Sequence, residues 1–297
     1  MAHHHEHHHH GNDTKNIGVA FFLNLSFTII ELIGGLFTNS IAILSDAVHD
    51  FGDSLSLALA WYFQRLAKKG SNRTYSYGYK RFSLLGAIIN SIVLVVGSIF
   101  ILTEAIPRLF SPQETNAQGM FLLAILGIVI NGAAVLRMKK GSSINARVVS
   151  LHLLEDVLGW IAVLIGSIIM YFFDFPVIDP ILSIAIACFV LFNVFRNISH
   201  TLRIILQETP KEFEQEHIVE QIRSLAPVSG IHDLHVWSLD EEYHVLTMHV
   251  MLKESIAMDK LAELKAQIRS LLKEEHVQHA TIEFETENEF CELEHCV

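Results

Sequence analysis

Long apolar stretches fill the first two thirds of the chain, and short alternating ones fill the last third. Six stretches come near the ~20 residues that a membrane-crossing helix needs. They run roughly over 17–37, 41–64, 83–105, 118–137, 148–172 and 177–205. From about Glu208 the pattern turns polar. KEFEQEHIVEQIRSLA has helical spacing, and IHDLHVWSL and YHVLTMHVML alternate on either side of a polar LDEE turn. SIAMDKLAELKAQIRSLLKEEH is an amphipathic helix with Ser255 at its start, and HATIEFE alternates again. The predicted fold class is a membrane all-α bundle of six transmembrane helices plus a C-terminal α+β domain of order α-β-β-α-β. Its helices lie on one side of a small sheet whose other face is open to pair or bind. The domains follow: a His-rich tail over 1–16, a transmembrane domain over 17–206 and a soluble domain over 207–297.

Composition agrees with this division. A chain that is 51% hydrophobic with mean hydropathy +0.38 is too apolar for a soluble domain and too charged for a purely membranous one. The net charge of −11 comes largely from EFEQEHIVEQ, LDEE and TENEFCELEH near the C-terminus, which argues against nucleic acid as a partner. Basic residues mark alternate loops. Arg65, Lys68, Lys69, Arg73, Lys80 and Arg81 follow the second apolar stretch, and Arg137, Lys139, Lys140 and Arg147 follow the fourth. The opposite loops hold only Arg108. The positive-inside rule makes the basic loops, and with them both termini, cytoplasmic. The short loops point to a multi-pass protein of a cell membrane, of the bacterial inner type. The first apolar run is long and lacks a small-residue exit, so no cleavable signal peptide is expected.

Two ionisable pairs of identical spacing interrupt the apolar stretches. His49 and Asp53 lie in IAILSDAVHDFGDSLSLALAW, and His152 and Asp156 lie in VVSLHLLEDVLGWIAVLIGSI. A charge near the bilayer centre costs roughly 2.5–3.5 kcal/mol on insertion scales, so such residues need a partner or an ion. Spacing of i,i+4 places each His and Asp on one helix face. Two such helices facing each other offer two imidazoles and two carboxylates, a tetrahedral set suited to Zn²⁺. A lone His would read as a hydrogen-bonded packing residue; two HxxxD pairs in separate spans argue for metal. Asp46, one turn before His49, is placed to orient it from a second shell, while Asp50 points off that face. Glu31 and Asp179 either line a water-filled path or pair with a basic residue at a helix end.

The remaining candidates lie at the termini and in the soluble part. MAHHHEHHHH reads either as an engineered tag or, because Glu6 breaks the run, as a native metal-collecting tail. The HExxH it contains is low-complexity and precedes any helix, so it carries no protease signal. Regulatory metal is expected on some subset of His232, His235, His249, His279 and Glu283. Cys291, His295 and Cys296 form a further soft-metal group in the tail. In IHDLHVW the two His are three apart and face opposite sides of a strand, so they share an ion only if the strand bends.

These residues resemble the cation diffusion facilitators, the family of zinc transporters and bacterial cobalt–zinc–cadmium resistance efflux proteins. The resemblance covers nearly the whole chain. It rests on NSIAILSDAVHDFGDSLSLALAW, YSYGYKRFSLLGAIIN, LHLLEDVLGW, DPILSIAIACFVLF and HDLHVWSL. It implies six helices, a cytoplasmic metallochaperone-like domain, a homodimer in the lipid bilayer and export of Zn²⁺ in exchange for H⁺. It carries the transport-site roles onto His49, Asp53, His152 and Asp156. Some members have Asp where this chain has His49, and those handle Cd²⁺ or Mn²⁺ more readily, so His49 points to zinc. The chain departs from the family in AKKGSNRTYSYG, which offers neither the His nor the Asp that some members use to bind a further ion there. The expected function is Zn²⁺/H⁺ antiport by alternating access. The alternatives are the same transporter exporting mainly Co²⁺, Cd²⁺ or Fe²⁺, and, more remotely, a non-transporting metal sensor or an intramembrane metalloenzyme.

Overall fold

The computed structural model describes residues 10–67, 69–138, 144–286 and 289; the side chains of 10–21, 23, 64, 137, 138 and 144–152 are outside that description. The chain forms two compact units. One comprises the residues up to Tyr62 with Gly86–Ile198, the other Phe63–Leu85 with the residues from Ser199 onward.

The first unit is helical. Its helices are α1 (His10–Thr38), α2 (Ile41–Ala67), α3 (Phe82–Phe110), α4 (Ala117–Met138), α5 (Ile144–Phe173) and α6 (Ile178–Ile205), the last turns of α2 and α6 and the first of α3 belonging to the second unit. Within α3 to α6, four segments are long and apolar enough to cross a membrane: Phe82–Phe110, Ala117–Leu136, Leu153–Phe173 and Ile178–Ile205. The apolar part of α1 is the shorter Asn24–Thr38. α2 carries Asp46, Asp50 and Asp53 within about two turns and falls short of that apolarity. α3 runs past the expected end at 105, with Pro107 in its last turns. There the missing N–H costs one hydrogen bond, and the Pro107 carbonyl still accepts from Ser111 N–H at 3.0 Å.

Glycines let these helices approach closely. A side chain on Gly127 of α4 would lie 2.3 Å from the Trp160 ring of α5, and Trp160 is fully buried against Phe27 of α1. Between α2 and α3 the fit is reciprocal: Leu94 fills the space beside Gly52, and Val48 fills the space beside Gly97. Residues without a Cβ leave room for the facing side chain, the packing habit of membrane helices.

The second unit is the soluble fold that the alternation predicts. It has α7 (Gln215–Arg223), β1 (Val228–Ser238), β2 (His244–Leu252), α8 (Met258–Glu274) and β3 (Val277–Thr286). The sheet order is β1-β2-β3, with β1 antiparallel and β3 parallel to β2. Ile218, Ile222, Leu264, Ile268 and Leu272 of the helices pack on Val236, Leu246, Met248 and Val250 of one sheet face. Asp240 Oδ1 closes the β1–β2 turn by accepting from the N–H groups of Glu242 and Tyr243, at 3.1 and 2.8 Å. Ser255 does not start α8: the helix begins at Met258 behind Ala257, and Asp259 in its first turn supplies the favourable charge there.

Candidate metal centres

The first centre lies in the helical unit. His49 and Asp53 sit one turn apart on α2, Nε2 to Oδ2 at 3.6 Å, with 17% and 22% of their side chains exposed. Asp46 and Asp50 form a second i,i+4 row on the same helix, and both are buried. α2 thus presents a partly accessible His–Asp row beside an enclosed carboxylate row. α5 contributes Asp156, also buried. Asp46 reaches toward α5 where Gly159 leaves it room: Oδ1 lies 3.9 Å from where a Cβ there would stand. Asp46 is close enough to Asp156 and to Asp53 to interact with each through space, and Glu31 of α1, fully buried, faces Asp46, Asp50 and Asp156. Asn24 of α1 extends this polar seam, its Nδ2 donating to the Asp50 carbonyl at 3.2 Å and to Ser54 Oγ at 3.1 Å. The His152 side chain lies outside the described residues. Asp179, at the start of α6, instead accepts hydrogen bonds from the first turn of α2.

The second centre lies on the sheet face opposite the one that packs on α7 and α8. His232, His249 and Glu285 each offer a ligand atom, all within 4.8 Å of one another. The His249 ring meets Glu285 Oε1 at 2.6 Å through Nδ1, and His232 Nε2 lies 3.2 Å from Glu285 Oε2. Glu283, two-thirds exposed, stands 3.6 Å from His249. Asp233 lies 3.6 Å from His249 and 2.7 Å from His235. The bend that alternation alone does not contain is present here. Pairing shifts register between His232, opposite His249, and His235, opposite Thr247, and Asp233 takes a left-handed φ of 48°. Asp233 and Leu234 of β1 thus oppose the single Met248 of β2, and His232 and His235 come to the same face. His279 is placed elsewhere, its ring edge-on to Tyr77 at 5.4 Å. Cys291, His295 and Cys296 lie outside the described residues. Asp233 was absent from the candidates read from sequence, because a bulge created by strand pairing leaves no local signal. His244 is buried at the strand end with Nδ1 2.9 Å from Ser238 Oγ, and burial pushes its pKa below the usual histidine value.

Both halves of the chain match known domains. Residues 17–206 match the cation efflux transmembrane domain, and residues 210–287 match the cytoplasmic domain of cation efflux proteins. The chain belongs to the cation efflux family. Among similar proteins is the cadmium, cobalt and zinc/H⁺–K⁺ antiporter of Bacillus subtilis, 32% identical over 93% of this chain and 90% of that one. The zinc transporter ZitB of Pectobacterium atrosepticum is 33% identical over 100% of this chain and 92% of its own. The metal cation efflux system protein CzcD of Cupriavidus metallidurans is 32% identical over 96% and 90%. As a cation efflux protein, this chain is a multi-pass membrane transporter of divalent cations rather than an enzyme, with a cytoplasmic domain built on a small sheet.

Proposed function

We propose that this cation efflux protein is a Zn²⁺/H⁺ antiporter that exports zinc through a site formed by His49, Asp53, His152 and Asp156. The observation that carries the reading is the His49–Asp53 pair of α2, partly accessible, one turn from Asp46, which interacts with both Asp53 and Asp156 of α5. Two imidazoles and two carboxylates suit tetrahedral Zn²⁺, and four protein ligands leave no position for an activated water, so the chemistry is binding and release. Zn²⁺ enters from the cytoplasm, the helices rock, and protons arriving from outside compete with the ion for the same ligands. In this reading α1 to α6 all cross the membrane, with both termini cytoplasmic, in a bacterial inner membrane. The domains divide at about 206, and the cytoplasmic sheet mediates a homodimer. The cluster of His232, His249 and Glu285 holds a regulatory ion, with Asp233 and Glu283 beside it. Asp46 and Glu31 serve as supporting carboxylates behind the transport ligands.

A second reading keeps the transporter and changes the ion. The Bacillus and Cupriavidus relatives are named for cadmium, cobalt or metal cations generally. A His₂Asp₂ set does not select by affinity alone. The test of both is metal flux from reconstituted vesicles under an imposed pH gradient, with Zn²⁺, Cd²⁺ and Co²⁺ in parallel. Wild type is expected to move Zn²⁺ against the proton flux, with His49→Ala and Asp156→Ala folded but silent. Variants as active as wild type would remove the proposed site, and faster Cd²⁺ or Co²⁺ flux would favour the second reading.

A further inference from the structure

α2 begins without a complete cap of its own. Its first-turn N–H groups have no partner within the helix, and at the rim of a bundle water cannot be relied on to supply one. Ser40 Oγ accepts from Ile43 N–H at 3.2 Å, the ordinary N-cap contact. The other first-turn groups turn to a different helix. Asp179 of α6, fully buried, accepts from Ile41 N–H at 2.9 Å through Oδ2 and from Ala42 N–H at 3.2 Å through Oδ1. Ser40 Oγ donates to the same Oδ1 at 2.5 Å. A carboxylate here also meets the positive end of the α2 dipole. α3 joins the knot. Arg108 Nη1 donates to the Asn39 carbonyl and to Asn39 Oδ1, each at 3.0 Å, and Arg108 lies near enough to Asp179 to attract it through space. Asn39, with φ 53°, is the single turn residue between α1 and Ser40.

We propose that Asp179 is a positioning residue for metal transport: from α6 it fixes the height and rotation of α2, and so the direction in which His49 and Asp53 face α5. This rests on the reading of His49 and Asp53 as transport ligands. The lever is short and stiff. His49 lies nine residues from Ser40, about 14 Å at the helical rise, and the helix between is held laterally by Val48 against Gly97. Coordination tolerates only about 0.5 Å and 10–20° of misplacement. A helix free to slide or turn at its capped end would present the same ligands in the wrong place.

The cap has a chemical signature that separates positioning from bulk stability. Asp179→Asn keeps the shape but puts an NH₂ group where an oxygen now accepts. Ser40→Ala removes only the hydroxyl, and Ser40→Thr restores it. Zinc flux per folded protein would be measured in vesicles across a zinc titration, with melting temperatures in parallel. Asp179→Asn is expected to raise the half-saturating zinc concentration about tenfold, the size of one charge-assisted hydrogen bond, with a smaller loss of saturating flux. Ser40→Ala is expected to raise it about threefold by losing one neutral hydrogen bond, and Ser40→Thr to return it to the wild-type value. If half-saturation stays within about twofold of wild type in both loss variants while melting temperature falls, the cap is structural only and the proposal is overturned. If Asp179→Asn fails to fold, Ser40→Ala against Ser40→Thr decides alone. His49→Ala is the control: its failure to impair flux would remove the transport-site reading itself, whereas a silent His49→Ala beside an unaffected Asp179→Asn would remove only the positioning role.

Discussion

His232 of β1 and His249 of β2 are direct cross-strand partners, their rings 5.1 Å apart, and Glu285 of β3 touches both. Three strands thus each contribute one ligand-bearing side chain to one patch of the sheet face opposite the helices. Rigid strands hold such groups more accurately than loops do.

An ion bound there and not by the unfolded chain must stabilise the domain. At zinc about a hundredfold above its dissociation constant the gain is about 2.7 kcal/mol. Melting of the full chain in detergent is expected to show a zinc-dependent rise in the cytoplasmic transition, reversed by chelator and absent in His249→Ala. An equal rise in His249→Ala would place the bound zinc elsewhere.

Asp233 supplies the bend that brings His232 and His235 to one face, and its φ of 48° suits Asp, Asn or Gly far better than a β-branched residue. Asp233→Val is expected to destabilise the domain by about 1–3 kcal/mol, whereas Asp233→Asn keeps the backbone and loses only the charge facing His235 and His249. Denaturant midpoints of the two variants would separate these effects. Equal midpoints for Val and Asn would show that the left-handed backbone carries no strain.

The membrane motifs were legible because their signal is local. An HxxxD pair inside an apolar run needs only the helical period to be read, and His49 and Asp53 do share a face of α2 at 3.6 Å. What depends on distant chain was not legible. The turn of β1 at Asp233 comes from its pairing with β2, so alternation alone put His232 and His235 on opposite faces. Asp179 was read as a path-lining or paired acid because nothing near it in sequence reveals that its partners are the N–H groups of Ile41 and Ala42. Ser255 looked like a helix start, but α8 begins only at Met258.

Trp160 stands one turn beyond Asp156 on α5, and Gly127 of α4 is the floor on which its ring lies. A methyl group at Gly127 has no room, so Gly127→Ala is expected to cost about 1–3 kcal/mol by overpacking and to lower the melting temperature in detergent. Trp160→Phe added to Gly127→Ala is expected to cost less than the sum of the two single changes, since the smaller ring frees the space. Strict additivity in that cycle would show that the two residues do not share the contact.

His244 gives the cytoplasmic domain a defined pH response. Burial lowers its pKa, so the folded state holds the proton less firmly than the unfolded chain, whose value is about 6.5. Where the unfolded state binds more protons, stability rises with pH. The contribution is therefore complete above about pH 6.5 and is lost as pH falls below it. Melting temperature is expected to drop between about pH 7.5 and 5.5, and to drop less in His244→Asn, whose amide reaches Ser238 as Nδ1 does but does not titrate. An unchanged slope in that variant would assign the response to other histidines.

On the reading of His49 as a transport ligand, His49→Asp exchanges an imidazole for a carboxylate while keeping the i,i+4 partner Asp53. The site then holds three carboxylates and one imidazole, a harder donor set that suits ions other than zinc better than the original. The ratio of Mn²⁺ flux to Zn²⁺ flux is expected to rise. Flux of each ion measured in the same vesicles reads the ratio. A variant with the wild-type ion ratio would mean that position 49 does not bind the transported ion.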